Sequence, residues 1–142
     1  MTSATGLARV RAELAARGYR ITRPRMAIVE ELARLRRYVT ASELFERLAR
    51  KRAGIGLATV YRTLETLRSV GGASAMPHAH GETAYLFCPV EHHHHAVCTK
   101  CGRVEDVPCR SLARFERALG SRLRFTLTQH RLDFFGTCAR CT

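Results

Sequence analysis

Two CxxC pairs, Cys98/Cys101 and Cys138/Cys141, and a run of four histidines, His92 to His95, carry most of the chemistry available to this sequence. A CxxC turn presents two thiolates to one ion, and two such turns complete a tetrahedral four-thiolate shell with metal–sulfur bonds of roughly 2.3 Å. A closed shell of this kind is structural, and the ion it suits is Zn2+. It would staple the C-terminal tail to the strand after the histidines and stabilise a small domain with little core of its own. Redox use of CxxC would call for a surrounding βαβ pattern, which neither pair has.

The histidines sort by geometry. If "HHHHAVC" runs as a β-strand, successive side chains alternate between faces. His93 and His95 then share one face with Cys88, from the hinge that precedes them, and with His78 or His80. One thiolate with several imidazoles is a soft, nitrogen-rich set that suits zinc better than ferrous iron, which more often keeps a carboxylate oxygen. This set would hold a further Zn2+. The other pair, His92 and His94, can join His130 from "RFTLTQHRLDFFG", with Glu116 on the intervening helix as the oxygen ligand of a second metal site. A zinc hydrolase or deaminase also uses Cys and His, but His80-Gly81-Glu82 is not followed by the P-C-x-x-C that a deaminase requires.

These residues are not spread evenly. All 6 Cys and all 7 His lie between residues 78 and 141 of the 142. Residues 1–75 carry 15 Lys+Arg against 6 Asp+Glu, net +9, and residues 76–142 carry 9 against 6, net +3. The first half therefore expects a polyanionic partner, and the second half expects metals. The chain is long enough for two small domains, at 1–86 and 87–142, and too short for a large catalytic one. No apolar run approaches the roughly 20 residues needed to span a bilayer. The N-terminus has no secretion-signal pattern, so a cytoplasmic location is expected, where six cysteines argue for metal rather than disulfides.

The basic half must position the polyanion contacts. Leu7, Val10 and Leu14 predict a first helix that Gly18 stops. "ITRPRMAIVEELARL" predicts a second, with Thr22 as N-cap and Pro24 in its first turn. "TASELFERL" predicts a third, opened by a Thr40–Glu43 capping box. "GLATVYRTLETL" predicts a fourth, with Val60, Leu64 and Leu67 inward. Two short extended runs, "AMPHAH" and "TAYLFC", flank Gly81 as a β-hairpin. Helices ending in a hairpin describe a winged helix-turn-helix. The fourth helix would enter the DNA major groove with Thr59, Tyr61, Arg62 and Thr63 outward, while Arg20, Arg23 and Arg25 hold phosphates. The overall fold class is α+β.

In order, "GYRITRPR", "TASELFERL", "GLATVYRTLETL", "HHHHAVCTKCG" and "RFTLTQHRLDFFGTCARC" resemble the ferric uptake regulator (Fur) family over roughly residues 7 to 141. The resemblance implies a non-enzymatic, homodimeric repressor: an N-terminal winged helix followed by a C-terminal α/β dimerisation domain with structural zinc. A sensed metal at the hinge would close the dimer onto a palindromic double-stranded DNA operator, with no small-molecule substrate and no membrane. The family's structural zinc maps onto Cys98, Cys101, Cys138 and Cys141, and its operator-reading pair onto Tyr61 and Arg62. Iron and peroxide sensors usually place a histidine where Tyr38 stands and an acidic ligand where this chain reads "AYLFC". Cys88, His93 and His95, spaced before Cys98, are most like the zinc uptake regulator (Zur) branch. A zinc-responsive repressor of zinc-uptake genes is the leading expectation, and an iron- or peroxide-responsive relative the alternative. The family's helical acidic ligand aligns with Ala113, so Glu116 must substitute for it; Cys109 has no role in the family pattern and reads as a small buried or free thiol.

Overall fold

The computed structural model describes residues 3–89 and 93–142, and the chain divides into two compact units, Met1–Glu91 and His92–Thr142. Helix α1 (Ser3–Ala16) ends at Gly18, whose positive φ of 81° only glycine adopts without cost. Helix α2 (Arg23–Leu35) is capped by Thr22, whose hydroxyl accepts the Arg25 N–H at 3.3 Å. Thr40 closes β1 (Val39–Thr40) and caps α3 (Ala41–Arg50) by accepting the Glu43 N–H at 3.1 Å, while the Glu43 carboxylate pairs with Arg37.

Helix α4 (Leu57–Ser69) completes the core of this unit. Leu14 of α1, Ile28 and Leu32 of α2, Leu44 of α3, and Leu64 and Leu67 of α4 are all 0% exposed. Each such burial contributes roughly 1.5–3 kcal/mol. Thr63 is also buried and so does not share the outer face of α4, a departure from the sequence reading. Its position four residues before Leu67 places it on the apolar stripe. Glu31 lies in the same interior, and its carboxylate is met by Lys51, by Arg47 at 3.3 Å and by Arg34 at 3.1 Å. Burial alone would raise its pKa, but the hydrogen bonds and charges of these cations outweigh that, and the net shift is downward.

The wing is the antiparallel hairpin of β2 (Ala73–Pro77) and β3 (Thr83–Phe87), with β1 on the far side of β3. The first strand ends at Pro77, so His78 and His80 stand in the turn and not on one strand face, contrary to the sequence expectation. The His78 N–H bonds the Glu82 carbonyl at 2.8 Å, and His80 and Gly81 take φ of 57° and 75° to close the loop. Tyr85 ties β3 to α4 by donating its hydroxyl to Glu65 at 2.6 Å. Burial and that carboxylate push the phenol up to about 12.

The second unit is a three-stranded sheet in the order β5-β4-β6, with β4 spanning His93–Cys98, β5 Val104–Pro108 and β6 Asp133–Gly136. β5 is antiparallel to β4, and β6 is parallel to it. A single helical turn at Cys109–Ser111 leads into α5 (Ala113–Leu123). Among its described residues only His94, His95 and Cys98 are buried. Phe115, Phe125 and Phe135 are 58%, 68% and 56% exposed. Within one chain this unit has almost no apolar core.

Candidate metal centres and nucleic-acid interface

Cys98 ends β4, and the turn after it is closed by the Gly102 N–H on the Cys98 carbonyl at 2.9 Å, with Gly102 at a φ of 72°. The Cys141 N–H closes a similar turn on the Cys138 carbonyl at 2.8 Å. The parallel pairing of β4 with β6, in which Cys98 faces Gly136, brings the two turns together. One sulfur from each of the four cysteines lies within 4.8 Å of the others. Cys101 Sγ and Cys138 Sγ are 3.7 Å apart, against about 3.8 Å for the edge of a tetrahedron with 2.3 Å metal–sulfur bonds. Backbone N–H groups, first that of Cys138, lower the Cys98 thiol to about 6, whereas the sulfurs of Cys101 and Cys138 hold the Cys141 thiol up to about 12. Thiols this close cannot all ionise until a cation lies between them. The donor set fits zinc.

Strand alternation separates His93 and His95 from His94. His93 Nε2 and His95 Nε2 converge to 3.1 Å on one face of β4, near the roughly 3.3 Å edge of a tetrahedral zinc site with 2.0–2.1 Å bonds. Register places Asp106 of β5 and Asp133 of β6 on either side of His95. Asp133 Oδ1 is 3.3 Å from His95 Nδ1, and Asp106 Oδ1 is 3.8 Å from His93 Nε2. Asp133 thus holds the far nitrogen of His95 and leaves Nε2 aimed at the convergence point, the usual support for a metal-binding imidazole. Burial, then the neighbouring His93, lowers the pKa of His95 and favours the neutral, ligating form. Neither aspartate stands out in the sequence, because cross-strand register is needed to place it.

On the opposite face, His94 Nε2 meets His130 Nε2 at 2.8 Å and Cys109 Sγ at 3.6 Å. One ligand atom from each of His94, Cys109 and His130 lies within 4.8 Å of the other two. Glu116 is paired with the other ring nitrogen of His130, Nδ1, on the side away from His94. Burial, then the Glu116 charge, pushes the Cys109 thiol up. His92 lies outside the described residues.

In the first unit, Cys88 is buried one position after β3, its N–H on the Gly72 carbonyl at 3.0 Å. His78 and His80 are exposed at the wing tip. On α4, Tyr61 and Arg62 are exposed, and Arg62 reaches Thr59 Oγ1 at 3.5 Å, so the three share the outer face at the N-terminal end of the helix. Arg20 and Arg23 are exposed beside the start of α2. Arg25 is committed internally: its guanidinium bonds the Arg20 carbonyl and lies 5.8 Å over the Tyr19 ring. Among the described residues, no helix is long and apolar enough to cross a membrane.

A model of the Ferric uptake regulator family matches residues 16–135. The chain is 36% identical over 128 residues to the zinc uptake regulation protein of Mycobacterium tuberculosis, covering 90% of this chain and 98% of that one. It is 33% identical over 125 residues to the ferric uptake regulation protein of Legionella pneumophila, covering 87% and 92%. Among solved structures, the ferric uptake regulator of Vibrio cholerae aligns with a TM-score of 0.66 at 29% identity, covering 88% of this chain and 96% of that chain.

Proposed function

Because the chain belongs to the ferric uptake regulator family, whose members regulate transcription and are not enzymes, we propose that it is a zinc-responsive repressor that binds palindromic operators of zinc-uptake genes as a cytoplasmic homodimer. The observation that carries the choice of metal is the convergence of His93 and His95 Nε2 at 3.1 Å, five residues after the thiol of Cys88 in the sequence. Sulfur with nitrogen favours zinc over iron. His78 or His80 would supply the remaining ligand, and Asp133 would orient His95.

The residues divide the labour as follows. Cys98, Cys101, Cys138 and Cys141 hold a permanent Zn2+ that closes the C-terminal unit. Cys88, His93 and His95 hold the exchangeable Zn2+. Zinc bound there changes DNA affinity only by its differential binding to the DNA-competent state and to the state that does not bind the operator. Tyr61 and Arg62 read base edges, with Arg62 suited to guanine, while Arg20 and Arg23 neutralise phosphates and Arg25 shapes the loop that presents them. The exposed Phe115, Phe125 and Phe135 support the homodimer, since an apolar surface of this kind is normally covered by a partner. A dimer also matches the two-fold symmetry of a palindrome.

Replacing Cys88 with Ser tests the reading. Zinc-dependent operator binding should disappear while circular dichroism and the structural zinc are retained. Undiminished zinc-dependent binding by the variant would show the sensing site to be elsewhere.

A further inference from the structure

We propose that Cys109, together with His94 and His130, forms a thiolate-containing zinc site in the C-terminal unit, with Glu116 as the carboxylate that orients His130 and not as a ligand. This site is separate from the sensing site built on Cys88. It lies wholly within the second unit.

Three observations carry the assignment. The Cys109 Sγ to His94 Nε2 distance of 3.6 Å matches the roughly 3.6 Å sulfur–nitrogen edge of a tetrahedron with bonds of 2.3 and 2.0–2.1 Å. His94 and His130 aim their Nε2 atoms at each other at 2.8 Å, a spacing that opens by a few tenths of an ångström to admit an ion. His94 is 1% exposed, so the donor atoms gathered around its Nε2 meet away from bulk water, as the ligands of a closed metal site do. Glu116 is bound to His130 Nδ1, the carboxylate–histidine–metal arrangement that fixes the tautomer and leaves Nε2 for the ion. Two imidazole nitrogens and one thiolate sulfur form a zinc set; manganese and ferrous iron prefer oxygen in place of that sulfur. On binding, the Cys109 thiol releases its proton to solvent as the zinc–sulfur bond forms.

The position gives the site a structural consequence. Cys109 precedes α5 and His130 follows it, so an ion held by both, and anchored to β4 through His94, fixes the two flanks of the helix that exposes Phe115.

The test uses the full-length protein with its structural zinc in place and Cys88→Ser to silence the sensing site. Cobalt(II) is added as the probe, and sulfur-to-cobalt charge-transfer absorption is recorded with cobalt stoichiometry. One further equivalent should bind and give the charge-transfer band. Adding Cys109→Ser should remove the band, and adding His130→Ala should remove the bound equivalent. Adding Glu116→Gln should keep the band while weakening cobalt binding by roughly 10–100-fold. Absence of the band in the Cys88→Ser protein, persistence of an unchanged band in the Cys109→Ser protein, or loss of the equivalent only with Glu116→Gln would overturn the proposal. None of these outcomes bears on zinc-dependent DNA binding through Cys88, which is read separately in the wild type.

Discussion

Cys138→Ser should unfold the C-terminal unit and spare the winged helix. Cys101 and Cys138 are 37 positions apart, and closing a loop of that size in an unfolded chain costs about 4 kcal/mol of chain entropy. The unit has little to offset such a loss, since its buried residues among those described are two histidines and one cysteine of the four-thiol cluster. At about 1.4 kcal/mol per factor of ten, the open state gains up to roughly 10³ in population. Hydrogen exchange followed by mass spectrometry reads this directly on the full-length variant. Backbone amides of β4, β5 and β6 should exchange up to roughly 10³-fold faster, while those of α2 and α4, which pack on Ile28, Leu32, Leu64 and Leu67, should keep their protection. Wild-type protection of β4 and β6 in a variant shown to lack zinc would refute the reasoning, as would equal loss in both units.

Glu31 makes the winged helix sensitive to acid. Its pKa is lowered in the fold, so its contribution is fully present above the ordinary carboxylate range near 4.3 and is lost as pH falls through the lowered value. Urea midpoints should fall below about pH 4 in the wild type, and Glu31→Gln should flatten that part of the profile and cost about 1–3 kcal/mol at neutral pH. Tyr85→Phe leaves Glu65 without its phenol donor and should cost about 1 kcal/mol in the same assay. Arg62→Ala should weaken operator binding by about 1–3 kcal/mol and relax preference at one base pair, whereas Arg23→Ala should weaken all DNA alike and lower the salt slope by about one, both seen in fluorescence anisotropy. Asp133→Asn should weaken the exchangeable zinc by roughly 10–100-fold in a competition assay with a chromogenic chelator.

Local rules place the helices well: Thr22, Thr40 and Gly18 mark ends because caps and positive φ are decided by a residue and its near neighbours. The same locality makes the division of His93 and His95 from His94 legible, since it follows from strand alternation alone. Pairing across the sheet is not legible. Asp106 and Asp133 come beside His95 only through the β5-β4-β6 register, and a parallel β4–β6 pair separated by a helix leaves no short-range signature. Cys109 reads as an idle thiol in the sequence for the same reason. His78 and His80 look like strand residues by spacing, yet the turn at Gly81 takes them both, because a hairpin loop needs residues that the alternation pattern does not mark.

Zinc control of DNA binding is measured most directly by titrating operator binding against free Zn2+, Fe2+ and Mn2+ under strict metal buffering. Binding should switch on with zinc at lower free concentration than with either other metal, and should lose that response when Cys88 is replaced by Ser. A switch driven by ferrous iron, with no response to zinc, would contradict the account.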